Sequence, residues 1–177
     1  MDAIQATMTN PVNHNALKAL LPMISNSQHI YITAGRASSY LAGLLANALR
    51  YLGLKVYEVS FGVGDYWDKL SLIEKDDLVI AVSFPRYTSQ LVDALEVLHG
   101  NGIPIVLITD TGLSPAVPYA DTIFYCAVAS SSYFPCYSGC LSLINTLCRA
   151  VGAHRKNTAA AHISQLERRL IEQDVFR

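Results

Sequence analysis

Two short runs hold most of the side chains that could do chemistry. The first is Gly35-Arg36-Ala37-Ser38-Ser39, and the second is Ser83-Phe84-Pro85-Arg86-Tyr87-Thr88-Ser89. Each follows a short apolar stretch, each carries hydroxyls and one arginine, and each opens a helical pattern. Such a turn gathers free backbone N–H groups and the positive end of a helix dipole at one point, which suits an anion. Two such turns with up to two guanidinium groups suit a phosphate, whose charge near neutrality is about −1.5 to −2; Arg36 is the weaker of the two, since its backbone can serve while its side chain points away. The candidate ligand-binding residues are therefore Gly35, Arg36, Ser38, Ser39, Ser83, Arg86, Tyr87 and Thr88. Helix capping alone would explain one serine, a solvated charge or salt bridge would explain Arg86, and packing would explain Tyr87. Capping does not explain hydroxyls with an arginine in both runs.

Other chemistries fit less well. Gly35 lacks the second and third glycines of a dinucleotide fingerprint, and Ala37 and Tyr40 would crowd a pyrophosphate. Glu58 ends a strand where a ribose-binding acid would belong, but one acid there reads as surface. There is no Walker A run and no G-x-S-x-G elbow. The five histidines, at 14, 29, 99, 154 and 162, show no ligand spacing and read as surface or helix-end residues. The four cysteines, at 126, 136, 140 and 148, form no CxxC pair. The last three fall on a predicted helix, mostly on its apolar side, and read as reduced thiols in a cytoplasmic protein. No metal and no cofactor is expected.

The elements that must position the two runs alternate along the chain. Residues 1–12 read as an irregular lead-in, and Asn13 as the cap of a helix to about Met23. Strands are expected at His29–Ala34, Lys55–Val59, Leu78–Val82, Ile103–Ile108 and Thr122–Val128. Helices are expected at Ser39–Leu52, Asp65–Ile73, Thr88–His99, Ser138–Val151 and Thr158–Gln173, with loop at Phe61–Gly64. Gly53, Asn101-Gly102 and Gly152 are read as helix stops. This alternation implies one α/β domain over residues 1–177, with its core at 13–152 and a C-terminal helix at 153–177. The fold is a three-layer αβα sandwich around a five-stranded parallel sheet. With strand order 2-1-3-4-5, the crevice lies between strands one and three, where the winding reverses. Both hydroxyl runs face it.

The chain has 177 residues and a formal net charge of -1. That balance does not draw the whole chain to nucleic acid or anionic lipid. Thr122–Cys148 carries no charge, but serines, Pro135 and Gly139 interrupt it, so no membrane span is expected.

Several motifs together resemble a known family. They are Gly35-Arg36-x-Ser38-Ser39, Asp77-Leu78-Val79-Ile80-x-Val82-Ser83-Phe84, Ile108-Thr109-Asp110 and Ser114-Pro115-x-x-x-x-Ala120-Asp121. They look like a sugar isomerase (SIS) domain, most like that of RpiR/MurR-type transcriptional regulators, over roughly Asn13 to Gly152. The resemblance implies a flavodoxin-like fold that senses a phosphorylated sugar or amino sugar. It also implies a homodimer or higher homo-oligomer, with DNA contacted only through a helix-turn-helix domain that this chain has no room for before Asn13. The chain is either cut from a longer regulator or free-standing, and alone it is not expected to bind DNA specifically. By the resemblance, the phosphate-binding hydroxyls fall on Ser38 or Ser39, then Ser83 and Thr88. The sequence departs from the isomerases' Ser-x-Ser-Gly-x-Thr: Pro85 stands where the second serine would be, and Arg86 where the glycine would be.

An isomerase of this family needs a general base, usually a glutamate near the start of the helix after strand five. No Asp or Glu occurs between Asp121 and Glu167. Ser132-Tyr133-Phe134-Pro135-Cys136-Tyr137 occupies the place instead. The expectation is a sensor that binds without turnover and has no catalytic residue. The alternatives are a phosphosugar isomerase, with a base from His154 or a partner subunit, and a flavin or nucleotide carrier at the same crevice.

Overall fold

The computed structural model describes residues 2–61, 64–131 and 133–175. Gly62 and Val63 of the expected loop, and Ser132, lie outside the described residues. Five parallel strands form one sheet in the order 2-1-3-4-5: β1 (Ile30–Ala34), β2 (Val56–Ser60), β3 (Leu78–Val82), β4 (Ile105–Thr109) and β5 (Thr122–Tyr125). Ala34 pairs in register with Val82, and Val82 with Ile108. The C-terminal ends of β1, β3 and β4 are therefore level, and the loops that follow them share one rim.

The pleat sorts the apolar side chains into two layers. Ile30, Ile32, Leu78, Ile80, Val82, Val106 and Ile108 face α2 (Pro11–Asn26), α3 (Ser38–Tyr51) and α6 (Ser138–His154). Val79, Ala81, Ile105 and Leu107 face α4 (Tyr66–Ser71) and α5 (Ser89–Gly100). All five residues of β3 are buried, which is why that stretch is apolar without alternation. Leu45, Leu49, Leu91 and Leu95 point inward from α3 and α5. Each fully buried leucine contributes about 1.5–3 kcal/mol of transfer free energy. Left-handed glycines, Gly53 (φ 78°) and Gly102 (φ 75°), end α3 and α5.

Several boundaries differ from the sequence expectation. Residues 3–8 are not irregular: they form α1 (Ala3–Met8), with Asp2 as its cap. Asn10, not Asn13, caps α2 through Val12 N–H. Asn13 is buried inside α2, where its side chain reaches the outer edge of β5. Its Nδ2 donates to Tyr125 O (2.8 Å) and Thr7 O (2.9 Å), and its Oδ1 accepts from Tyr125 N–H (2.7 Å). Thr7 Oγ1 accepts from Ala127 N–H (3.0 Å). Side chains of α1 and α2 thus bond the outward backbone at the end of this edge strand, at Tyr125 in β5 and at Ala127 just beyond it.

α6 continues past Gly152 to His154. α7 (Lys156–Glu172) packs on α3 and α6, with His162 lying over Gly53. Cys136 sits ahead of α6 rather than on it, and Cys126 and Cys140 are buried free thiols. No helix among the described residues is long and apolar enough to cross a membrane.

Candidate functional site

Three loops at the shared rim enclose a cleft of about 440 Å³. The β1–α3 loop supplies Gly35, Arg36, Ala37 and Ser38; the β3–α5 loop supplies Ser83 through Arg86 and Thr88; the β5–α6 loop supplies Phe134, Pro135 and Tyr137. The first two touch directly. A Cβ placed on Gly35 would lie 3.0 Å from Thr88 Cβ, with the Thr88 hydroxyl closer still. Gly35 is therefore needed for this approach, and any side chain there would push the loops apart. The second and third loops meet through Phe84 and Tyr137, whose ring centroids are 5.6 Å apart.

Three of the expected hydroxyls have no other duty. Ser83 is 3 % exposed, and its Oγ has no hydrogen-bond partner among the described residues. Thr88 is the N-cap residue of α5 but makes no side-chain cap bond. Ser38 is the first residue of α3, after Ala37 as N-cap, and caps nothing. Capping therefore does not explain these hydroxyls. Buried polar groups are normally paired, so an orphan Ser83 Oγ on a cleft wall marks a place where a ligand can accept or donate.

Both arginines line the cleft in backbone conformations that L residues rarely adopt: φ is 56° at Arg36 and 69° at Arg86. Arg86 thus holds the left-handed geometry of the glycine that the motif resemblance places there. Neither guanidinium joins an ion pair among the described residues. Strained backbone held at a cleft is a recurring feature of ligand sites.

Two expected ligand residues are committed elsewhere. Ser39 Oγ donates to Ala34 O (3.1 Å). Tyr87 does not line the cleft; its hydroxyl donates to Asp110 Oδ1 (2.7 Å), which fastens the β3–α5 loop to the end of β4. Burial, then that hydrogen bond and the nearby carboxylate, push the Tyr87 hydroxyl up to about 12. It remains a neutral donor at any physiological pH.

The wall opposite the hydroxyls is apolar. Phe134, Pro135 and Tyr137 stand where the resemblance would place a catalytic glutamate, and they are not among the ligand residues expected from the sequence. Their signal was an aromatic run just before a helix on the rim side. No carboxylate or imidazole is among the described residues lining this cleft. His154 ends α6 and bonds Ser25 Oγ (3.0 Å). It lies a full helix, about 24 Å at 1.5 Å per residue, from the start of α6 beside the cleft. Glu58 is a surface group paired with Arg50 (2.9 Å). His29, read as surface, is half-buried and meets Asp77 at 2.9 Å, beyond the opposite ends of β1 and β3. Among the described residues no cluster of His, Cys, Asp and Glu could hold a metal ion.

The arrangement sets three hydroxyl residues, the starts of two helices and two arginines around one cleft, beside an apolar wall. No curated protein matches the chain. Among solved structures, the sugar isomerase domain of an RpiR transcription factor from Sphaerobacter thermophilus is similar, with 24% identity and a TM-score of 0.87. That match covers 94% of this chain and 92% of the other. The Vibrio vulnificus NanR protein, complexed with ManNAc-6P, is 18% identical with a TM-score of 0.77, over 97% of this chain and 66% of NanR. A Methanococcus jannaschii protein, for which a 3-hexulose-6-phosphate isomerase function was inferred, is 22% identical with a TM-score of 0.68, over 92% and 90%. These likenesses establish the shared fold. The SIS domain family model matches residues 23–150. Its match spans all five strands and both hydroxyl runs, and the chain belongs to the SIS domain family.

Proposed function

We propose that this domain binds a phosphorylated sugar or amino sugar and acts as the sensing domain of an RpiR-type transcriptional regulator, without converting its ligand. One observation carries the reading: Ser38, Ser83 and Thr88 present hydroxyls free of intramolecular duty, beside two unpaired guanidiniums, in a lobe lined by no carboxylate or imidazole among the described residues. The phosphate sits against the β1–α3 and β3–α5 loops, and the sugar ring lies on the Phe134–Tyr137 wall. Ligand binding biases the packing of subunits in a cytoplasmic homo-oligomer, and a coupling of about 1–3 kcal/mol is enough to alter operator affinity. DNA is contacted by a helix-turn-helix domain outside these residues.

A thermal-shift screen against phosphorylated sugars and amino sugars, with the unphosphorylated sugars as controls, tests the proposal. At a ligand concentration 100-fold above Kd the stabilisation is about 2.7 kcal/mol, or roughly 5–10 °C for a chain of this size. Only phosphorylated compounds should produce it. A shift of equal size with the unphosphorylated sugar would refute phosphate recognition.

Ser83→Ala separates site from scaffold. Removing an unpaired buried hydroxyl leaves stability unchanged or raises it by about 1 kcal/mol, while ligand affinity falls by about 0.5–1.5 kcal/mol. Denaturation and calorimetry on one preparation read both. A destabilised variant with unaltered affinity would mean that Ser83 serves the core.

A second reading is a phosphosugar isomerase. It is favoured by Asp110, which lines the space next to the cleft and carries a carboxylate able to take a proton. Nuclear magnetic resonance of aldose and ketose phosphates incubated with the protein decides between the two. Interconversion that Asp110→Asn abolishes would replace the sensor reading.

A further inference from the structure

The cleft does not end at the proposed phosphate lobe. Past Pro85, Arg86, Phe134 and Pro135, which border both spaces, a second lobe of about 410 Å³ opens over Asp110, Ser130 and Tyr133. Charge is distributed unevenly along this double cavity. Arg36 lines the first lobe alone, Arg86 stands at the seam, and Asp110 is the single carboxylate among the described residues lining either lobe. Asp110 Oδ1 accepts from Tyr87 Oη (2.7 Å) and Thr109 Oγ1 (3.3 Å). Its Oδ2 has no partner among the described residues.

The geometry points to Asp110 as the specificity-determining residue of this site. With the phosphate held in the first lobe, the Asp110 carboxylate borders the space left for the far end of the sugar. It accepts from hydroxyl or ammonium groups there and repels a second anion, because like charges brought together in a confined site oppose binding. The preferred ligand class is a sugar monophosphate with donor groups at its far end. A bisphosphate or a phosphorylated sugar acid is excluded. This inference rests on the phosphosugar reading above.

The test is a set of Kd values, by calorimetry, for fructose 6-phosphate, fructose 1,6-bisphosphate and inorganic phosphate. The wild type should bind the monophosphate at least about tenfold more tightly than the bisphosphate. Asp110→Asn keeps an oxygen to accept from Tyr87 but removes the charge, and it should shrink that ratio at least about fivefold. Asp110→Glu should retain the discrimination. Asp76→Asn removes one charge at the opposite end of β3 and should leave the ratio as it was.

If Asp110→Asn keeps the wild-type ratio while still binding fructose 6-phosphate, the inference is wrong and the phosphosugar reading stands. If Tyr87→Phe shrinks the ratio as much as Asp110→Asn does, Asp110 acts only by placing the loop, which also overturns the inference. If none of the three probes binds, the phosphosugar reading falls and takes this one with it.

Discussion

Arg86→Ala weakens phosphosugar binding by about 1.5–3 kcal/mol, the usual range for a hydrogen bond to a charged group, which is roughly 10- to 150-fold in affinity. Arg86 lines both lobes of the cleft and pairs with no carboxylate among the described residues, so its guanidinium is available to a dianion. The variant also isolates a backbone effect. At φ 69° an alanine retains the left-handed strain, whereas a glycine does not. Arg86→Gly should therefore lose the same affinity yet be about 1 kcal/mol more stable than Arg86→Ala. Calorimetry and denaturation of the three proteins check both halves. Unchanged affinity in either variant would remove Arg86 from the site. Equal stability of the two would mean that the loop relaxes out of its left-handed turn.

Asn13→Ala destabilises the fold by about 2–4 kcal/mol, since three hydrogen bonds worth about 0.5–1.5 kcal/mol each are lost and Tyr125 keeps an unmatched N–H and C=O. In a chain of this length that lowers Tm by roughly 4–16 °C. The loss falls on Tyr125 at the end of β5, and it extends to the β5–α6 loop, where Thr7 holds Ala127 and which carries the apolar wall of the cleft. Ligand affinity should fall along with stability, although Asn13 does not line the cleft. Hydrogen exchange should show faster opening at Tyr125 and Ala127 than at residues of β3. A loss below about 1 kcal/mol would mean that water replaces the amide at the strand edge without penalty.

The two hydroxyl runs were legible because their chemistry is local. A glycine at a strand end, serines and threonine at helix starts and a nearby arginine are a pattern in the chain itself. The fully apolar β3 announced a strand buried on both faces. The boundary glycines Gly53 and Gly102 announced helix ends by residue type and place, and both take the left-handed φ that favours glycine there. Asn13 misled because the residue type that caps a helix also serves as an interior clip, and only the position of β5 chooses between the two. Gly152 misled because packing of α6 carries the helix past it.

Tyr87 and Asp110 show the boundary most sharply. One was expected at the ligand and the other was given no role. Tyr87 turns to Asp110, a residue 23 positions away, so the hydroxyl serves the loop instead of the cleft. The apolar wall of Phe134, Pro135 and Tyr137 was only half legible: a strand-to-helix loop of a parallel sheet must join this rim, but nothing within that run says which of its side chains turn to the cleft.

By itself the sequence determined the periodicities, and with them a parallel α/β sheet and the loops able to hold an anion. These depend on side chains a few residues apart. The tertiary structure alone decided which hydroxyls stay free, that Gly35 lets Thr88 approach, and that a carboxylate waits beyond Arg86. Those facts depend on parallel register bringing distant loops to one level, and contacts across such separations leave no trace in local spacing.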